Sequence, residues 1–228
     1  MKVYYDFHIH SALSPCADNE NTPESIVAMA SVKGLNAIAV CDHNAISNVL
    51  AAMECGEAFG VTVLPGIEIQ TSEEIHVVAL FKNFSDLQQF YYTLSFPPIK
   101  NDENTFGEQL IIDSDNNIVG KEERMLLLGA NQGIYEVTQS IIDMDGKAIL
   151  AHIDREANGI LAILGAIPED LPFSLIEFSS TASAEIRGQY SNFKSITNSD
   201  AHYLTDISSA ENFIEAESFG IEDIFSAL

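Results

Sequence analysis

A rhythm constrains this chain more than any other feature: short runs rich in β-branched and aliphatic residues recur along its 228 residues, separated for the most part by helical patterns. The runs at 2–10 (KVYYDFHIH), 37–43 (AIAVCDH), 61–69 (VTVLPGIEI), 75–81 (IHVVALF), 148–153 (AILAHI), 175–180 (LIEFSS) and 195–200 (SITNSD) read as strands. Strands that alternate with helices are joined by crossovers, which predicts an α/β fold with a mostly parallel sheet. TPESIVAMASVKG has the cap Thr, early Pro and acid, and terminal Gly of a helix, and ISNVLAAMECGEAFG is similar. The segment 97–120 breaks the rhythm with a Pro pair and a polar run, and reads as a loop and small hairpin inserted on a barrel loop. KEERMLLLGANQGIYEVTQSIIDMDG then returns to helix in one or two pieces. With no repeat, low-complexity tract or linker, residues 1–228 are expected to form a single domain, about the size of one α/β barrel.

The polar residues fall at the ends or starts of these runs. His8 and His10 stand one residue apart, so in a strand they share a face. Asp42 and His43, Glu68, His76, His152, and Asp200 with His202 occupy corresponding places in the later runs. In a parallel barrel the carboxyl ends of the strands converge, and active sites are built there. Singly, each has a plain alternative: His76 as a hydrogen-bonded core residue, Asp42 and His43 as a turn and cap, Asp200 as an ordinary helix cap. Together they have none, because burying five or more imidazoles and three carboxylates without cations costs several kcal/mol per unpaired charge. A nitrogen and carboxylate donor set favours zinc, manganese or iron(II) over copper or calcium, and there are too many donors for one ion.

Composition narrows the partners. Thirty-four acidic against 10 basic residues give a net charge of −24. Such a field repels polyanions, and no Lys/Arg stripe is present, so long nucleic acid is not expected as a partner. No apolar run reaches the roughly 20 residues of a membrane-spanning helix, so no membrane partner is expected either. The N-terminus enters a strand directly, without a signal-like segment, which predicts a cytoplasmic protein. Cys41 and Cys55 read as core filler, and Cys16, in the loop after His10, as a plain loop residue. Oligomeric state is not legible.

In order along the chain, HIHSALSPCAD with TPE, CDHN, GIEI followed by EEIH, AHIDR and NSDAH resemble the motifs of the PHP (polymerase and histidinol phosphatase) family of metal-dependent phosphoesterases, from about residue 3 to 205. The resemblance implies a distorted seven-stranded TIM-like (βα) barrel with a trinuclear centre of zinc, manganese or iron. It places His8, His10, Glu68 and Asp200 on the first ion; Glu68, His76 and His152 on the second; and Asp18, His43 and His202 on the third. Asp42 would orient an imidazole or a bound water. Arg155 would grip the substrate phosphate.

The expected reaction is attack of a metal-activated water on a small phosphorylated metabolite or nucleotide, without a covalent enzyme intermediate. The charge balance supports phosphate capture, since three divalent ions outweigh three carboxylate ligands. No Gly-rich phosphate loop and no G-x-S-x-G elbow points elsewhere. The rival readings are an amidohydrolase-like hydrolase and a catalytically silent, metal-dependent protein that binds phosphorylated ligands.

Overall fold

The computed structural model describes residues 1–228. All seven expected strands are present: β1 (Lys2–Ile9), β2 (Ala37–Val40), β3 (Thr62–Gln70) and β4 (His76–Leu80), then, beyond a separate hairpin of β5 (Leu110–Ile112) and β6 (Ile118–Lys121), β7 (Lys147–Leu150), β8 (Leu175–Phe178) and β9 (Ser195–Thr197). An eighth strand of the main sheet, β10 (Phe213–Glu215), lies beyond the expected set. The sheet runs in the order β10-β1-β2-β3-β4-β7-β8-β9. Past β9 the chain returns to β1, where Ile9 bridges Ala201 and the His10 N–H donates to the Ala201 carbonyl at 2.9 Å. The sheet therefore curls until its two ends meet at one mouth.

It is not mostly parallel. β4 runs antiparallel to both β3 and β7, and β10 runs antiparallel to β1. Hydrophobic periodicity carries no strand direction, but the short Thr71–Ile75 connection from β3 permits only a hairpin, whereas a parallel pair needs a crossover of a dozen or more residues.

Helices pack outside the curl. Pro23–Val32 starts on Thr22, whose side chain accepts the Ser25 N–H, and Val49–Phe59 stops at Gly60 in the left-handed region. The expected helix over 121–146 is much shorter: only Ile134–Asp143 is helical, while Lys121 belongs to β6 and 122–133 is loop. Gly129 lies there against the backbone of Gln70, and Gly133 against the Glu73 carboxylate, so neither position has room for a Cβ. The interior of the curl is filled by Tyr5, Phe7, Leu64, Val78, Leu80, Ile149 and Leu175, and closed at the far end by Phe225 and Leu228.

One irregularity positions the chemistry. β1 shifts register against β2 between Asp6 and Ile9. Phe7 packs in the interior cluster, yet Ile9, two residues on, packs with the outer helices at Ile26 and Val27. Strict alternation would have kept Phe7 and Ile9 on one face. The bulge reverses the alternation, so His8 and His10 continue the interior column above Phe7.

Candidate metal centre

Eight of the expected side chains meet at the mouth. His8 and His10 come from β1, His43 from the turn after β2, Glu68 from β3, His76 from the start of β4, His152 from the turn after β7, and Asp200 and His202 from the segment after β9. Because β4 is antiparallel, its first residue reaches the same mouth as the last residues of its neighbours. His8, His10 and Glu68 are fully buried, and His43, His76, His152 and Asp200 nearly so. His152 and Asp200 hold positive φ angles of 27° and 53°, a strained backbone for residues other than glycine that clusters at functional sites.

Glu68 is the hub. Its Oε1 lies 2.8 Å from His76 Nδ1, 3.2 Å from His8 Nε2 and 3.2 Å from His152 Nε2, while Oε2 lies 2.8 Å from His43 Nδ1. Asp200 Oδ1 lies 2.9 Å from His10 Nε2. Several of these approaches are not hydrogen bonds: Glu68 Oε2, His76 Nδ1, His152 Nδ1 and Asp200 Oδ1 are all buried with no hydrogen-bond partner. Buried polar atoms are nearly always paired, so four orphans in one cluster call for a ligand. Three subsets converge within 4.8 Å: His8, His10 and Asp200; His43, Glu68 and His76; and His10, His43 and His202. Nitrogen and carboxylate donors converging with unused lone pairs fit divalent cations.

The surrounding hydrogen bonds fix which nitrogen each ring presents. His8 Nδ1 lies 3.1 Å from both Glu177 oxygens, which can only accept, so Nδ1 carries a hydrogen and Nε2 turns to the centre. The Glu177 carboxylate also accepts from the His152 backbone N–H and the Asn198 amide. The Ser14 hydroxyl donates to Asp42 at 2.7 Å and accepts from His10 Nδ1 at 3.0 Å, which leaves His10 Nε2 facing inward. Asp42 also accepts from the Ser11 N–H and hydroxyl, so it acts on His10 through Ser14. His202 Nδ1 donates to the Asp200 carbonyl at 2.8 Å.

In the absence of metal, protons take the place of cations. Burial opposes charge on His8, yet Glu177, Glu68 and Asp200 outweigh it and lift the imidazole well above its ordinary range. Burial likewise opposes charge on His43, but Glu68 raises it to about 10. His10 goes the other way: burial and the neighbouring His43 and His202 hold it well below. Against the cost of burial, the surrounding imidazoles keep the Glu68 and Asp200 carboxyls depressed.

Two expected residues stand apart. Asp18 joins none of the three subsets; its carboxylate accepts the Glu20 N–H two residues on, as loop aspartates do. Arg155 lies on the rim, paired with Asp200, in a cleft of about 720 Å³ that Lys33, Arg187, Ser180 and Ser199 also line. Two residues went unread in the sequence. Glu177 was legible as a carboxylate inside the four-residue apolar strand LIEF; Ser14 carried no signal of its own. Cys16 lies exposed in the turn after His10, as a loop residue would.

The PHP domain family matches residues 6–170, more than half of the chain, and the chain belongs to that family of metal-dependent phosphoesterases. A 5′-3′ exoribonuclease of Haemophilus influenzae is 35% identical over 83 residues, 35% of this chain and 29% of that protein, so the alignment spans less than a third of that relative. Among solved structures, endonuclease Q from Pyrococcus furiosus shares the fold with a TM-score of 0.73 at 17% identity, over 99% of this chain and 55% of that one. A protein of Bifidobacterium adolescentis described as a metal-dependent phosphoesterase does so with a TM-score of 0.66 at 16% identity, over 96% and 95%.

These findings correct one expectation. Endonuclease Q is also solved with a 27-mer duplex bearing an abasic lesion at its active site, and the sequence relative is an exoribonuclease, so the exclusion of long nucleic acid does not stand. Net charge is the wrong quantity for that question: a polyanion meets the local surface, and beside this centre three of the 10 basic side chains, Lys33, Arg155 and Arg187, line one cleft together with Asp200, Asp206 and Glu211, so the −24 of the whole chain is not the charge met there. No helix is long and apolar enough to cross a membrane.

Proposed function

We propose that this protein is a metal-dependent phosphoesterase that hydrolyses phosphodiester links in nucleotides or nucleic-acid strands. The observation that carries the reading is the buried cluster of imidazoles around Glu68 and Asp200, in which Glu68 Oε2, His76 Nδ1 and Asp200 Oδ1 have no hydrogen-bond partner. His8, His10, Glu68 and Asp200 would hold one ion, Glu68, His76 and His152 a second, and His43 and His202 a third. Bound there, the cations would lower the pKa of water and neutralise charge on the phosphoryl group.

The chain's own residues do the rest. Glu177 and the Asp42–Ser14 pair hold the rings of His8 and His10 in the ligating orientation. Arg155 is anchored to Asp200 at the rim and about two-fifths exposed, so its remaining N–H groups are free to take a phosphate oxygen. Lys33 and Arg187 are tied to carbonyls (Lys33 to Thr205 and Ile207, Arg187 to Ser179 and Ala182), which positions their positive charge along the cleft. An open cleft with polar walls suits an extended phosphate-bearing chain better than a closed pocket would.

The test is turnover of a panel with manganese, zinc or iron(II): labelled single-stranded RNA and DNA, a duplex, and simple phosphate mono- and diesters, with metal content measured on the same sample. Hydrolysis of a phosphodiester, lost in His10→Ala with the circular dichroism unchanged, is the expected result. A fully loaded protein that turned over amides but no phosphate ester would overturn the assignment.

A further inference from the structure

We propose that the far end of the curl carries a second binding site, for a small phosphate-bearing anion, held by Lys82, Lys147 and Ser174. Another three of the 10 basic side chains, Lys82, Lys147 and Lys194, gather there, away from the cleft at the mouth. The topology brings them together. β4 starts at the mouth with His76 and leads to Lys82, while its antiparallel neighbour β7 starts with Lys147, opposite Leu80, and leads to His152. The same two strands therefore carry imidazoles of the metal centre at one end and ammonium groups at the other, roughly 20 Å away at about 3.3 Å per residue.

A cavity of about 460 Å³ opens between these groups, lined by Lys82, Lys147, Ser174, Ser226 and the ring of Phe225. The ammonium groups of Lys147 and Lys82 lie 5.1 Å and 5.6 Å from the centroid of that one ring. Two like charges drawn to one apolar side chain repel each other, and the face of the ring offsets only part of this. The other two lysines have partners: Lys82 leans towards Glu222 at 3.5 Å, and Lys194 donates to the Ala227 carbonyl at 2.8 Å. Lys147 has neither a carboxylate nor a hydrogen-bond acceptor, and the exposed Asp145 that lines the same cavity pairs with neither ammonium group. Burial and the neighbouring Lys194 and Lys82 hold Lys147 below its ordinary range, as expected for a charge without a counterion.

In a chain where acidic residues outnumber basic ones by 34 to 10, an ammonium group left without a carboxylate is arranged for an anion from outside. A neutral donor stands beside it. The Ser174 hydroxyl accepts the Ala148 N–H at 3.2 Å, so its own hydrogen is free to turn into the cavity. Two ammonium groups and a hydroxyl suit the dianionic phosphate of a monoester, or inorganic phosphate, better than the single charge of a diester link.

The experiment uses the full, metal-loaded chain with inorganic phosphate, a nucleoside 5′-monophosphate or a short oligonucleotide as probe, against chloride at equal ionic strength. Acylation of each lysine is followed by peptide mass spectrometry. Phosphate or the mononucleotide is expected to slow labelling of Lys147 at least about tenfold at saturation, and to leave the exposed Lys100 unchanged. The same protection is expected in His10→Ala, which places it apart from the metal centre. In Lys147→Gln the protection of Lys82 is expected to disappear with metal content unchanged. Lys147 labelled equally fast with and without either small probe would overturn the proposal whatever the fate of the variants. So would protection of Lys82 that survives Lys147→Gln, or equal slowing at Lys100, which would be an effect of salt alone. Protection by the oligonucleotide only would make this a contact for a strand and would overturn the assignment to a small anion.

Discussion

Glu177 decides which face His8 shows the centre. With both oxygens on Nδ1 it fixes the ring and raises the basicity of the opposite nitrogen. Glu177→Gln replaces an oxygen that can only accept with an amide that can donate, so the ring loses its enforced orientation. The expected result is a loss of metal affinity of about 10–100-fold, read by titration against a competing chelator, with the fold intact. An unchanged affinity would show that His8 is held by packing alone. The histidines were legible because imidazoles seldom end apolar strands in such number. Glu177 and Ser14 were harder, because a group that touches a ligand and not the ion follows no spacing rule. Asp42 was read for its proximity to His43, and in the structure it serves His10 through Ser14.

At the scale of elements, the β5–β6 hairpin and the turn before it brace the loop after β1. Leu110 donates its N–H to the Ala12 carbonyl, and Asn48 joins Ser11 to the backbone of both Leu110 and Ile112. Gly107 has a φ of 94°, and a Cβ there would meet the Pro15 carbonyl oxygen at 2.6 Å. Gly107→Ala is therefore expected to cost about 1–3 kcal/mol in denaturant melts and to loosen metal binding, since the displaced Pro15 directly follows Ser14, which holds His10. A variant as stable and as well loaded as wild type would mean that the hairpin rests on the loop without bracing it. Inside β1, burial pushes the Tyr5 hydroxyl from about 10 up to about 12. The folded state thus keeps this proton after the unfolded chain has lost it. Its contribution to stability is full below pH 10 and falls as pH rises towards 12, by at most about 1.4 kcal/mol per pH unit. Tyr5→Phe retains the stack on Phe7, at 4.7 Å, and removes the ionisation. The stability of wild type relative to Tyr5→Phe should decline between pH 10 and 12, and parallel curves would contradict it. All seven runs read as strands became strands because their apolar character is local. Strand direction, the short β10 and the bulge in β1 were not legible, since each depends on which neighbour a strand meets.

At the scale of the whole molecule, a strand-cleaving enzyme of the kind proposed would admit a polyanion to its metal centre through a field set by a net charge of −24. The two act over different distances. The surface field is long-ranged and repels an approaching strand, whereas the cleft and its ions act at contact. Salt screens the first far more than the second, because the Debye length falls from about 10 Å at 0.1 M to about 3 Å at 1 M while contact pairs are partly shielded from solvent. Nucleic-acid binding by a basic protein weakens steeply with salt through counterion release. Here kcat/KM for an oligonucleotide is expected to rise as ionic strength goes from low to moderate, and to fall only when the contacts with Arg155 and its neighbours are screened in turn. The rise should grow with strand length and be weak for a dinucleotide, because repulsion accumulates with each phosphate outside the cleft. Steady-state kinetics on a length series at several salt concentrations checks this. A monotonic fall with salt, equally steep at every length, would mean that association is governed by contacts with Arg155 and its basic neighbours in the cleft and that the acidic remainder of the surface has no part in selecting the substrate.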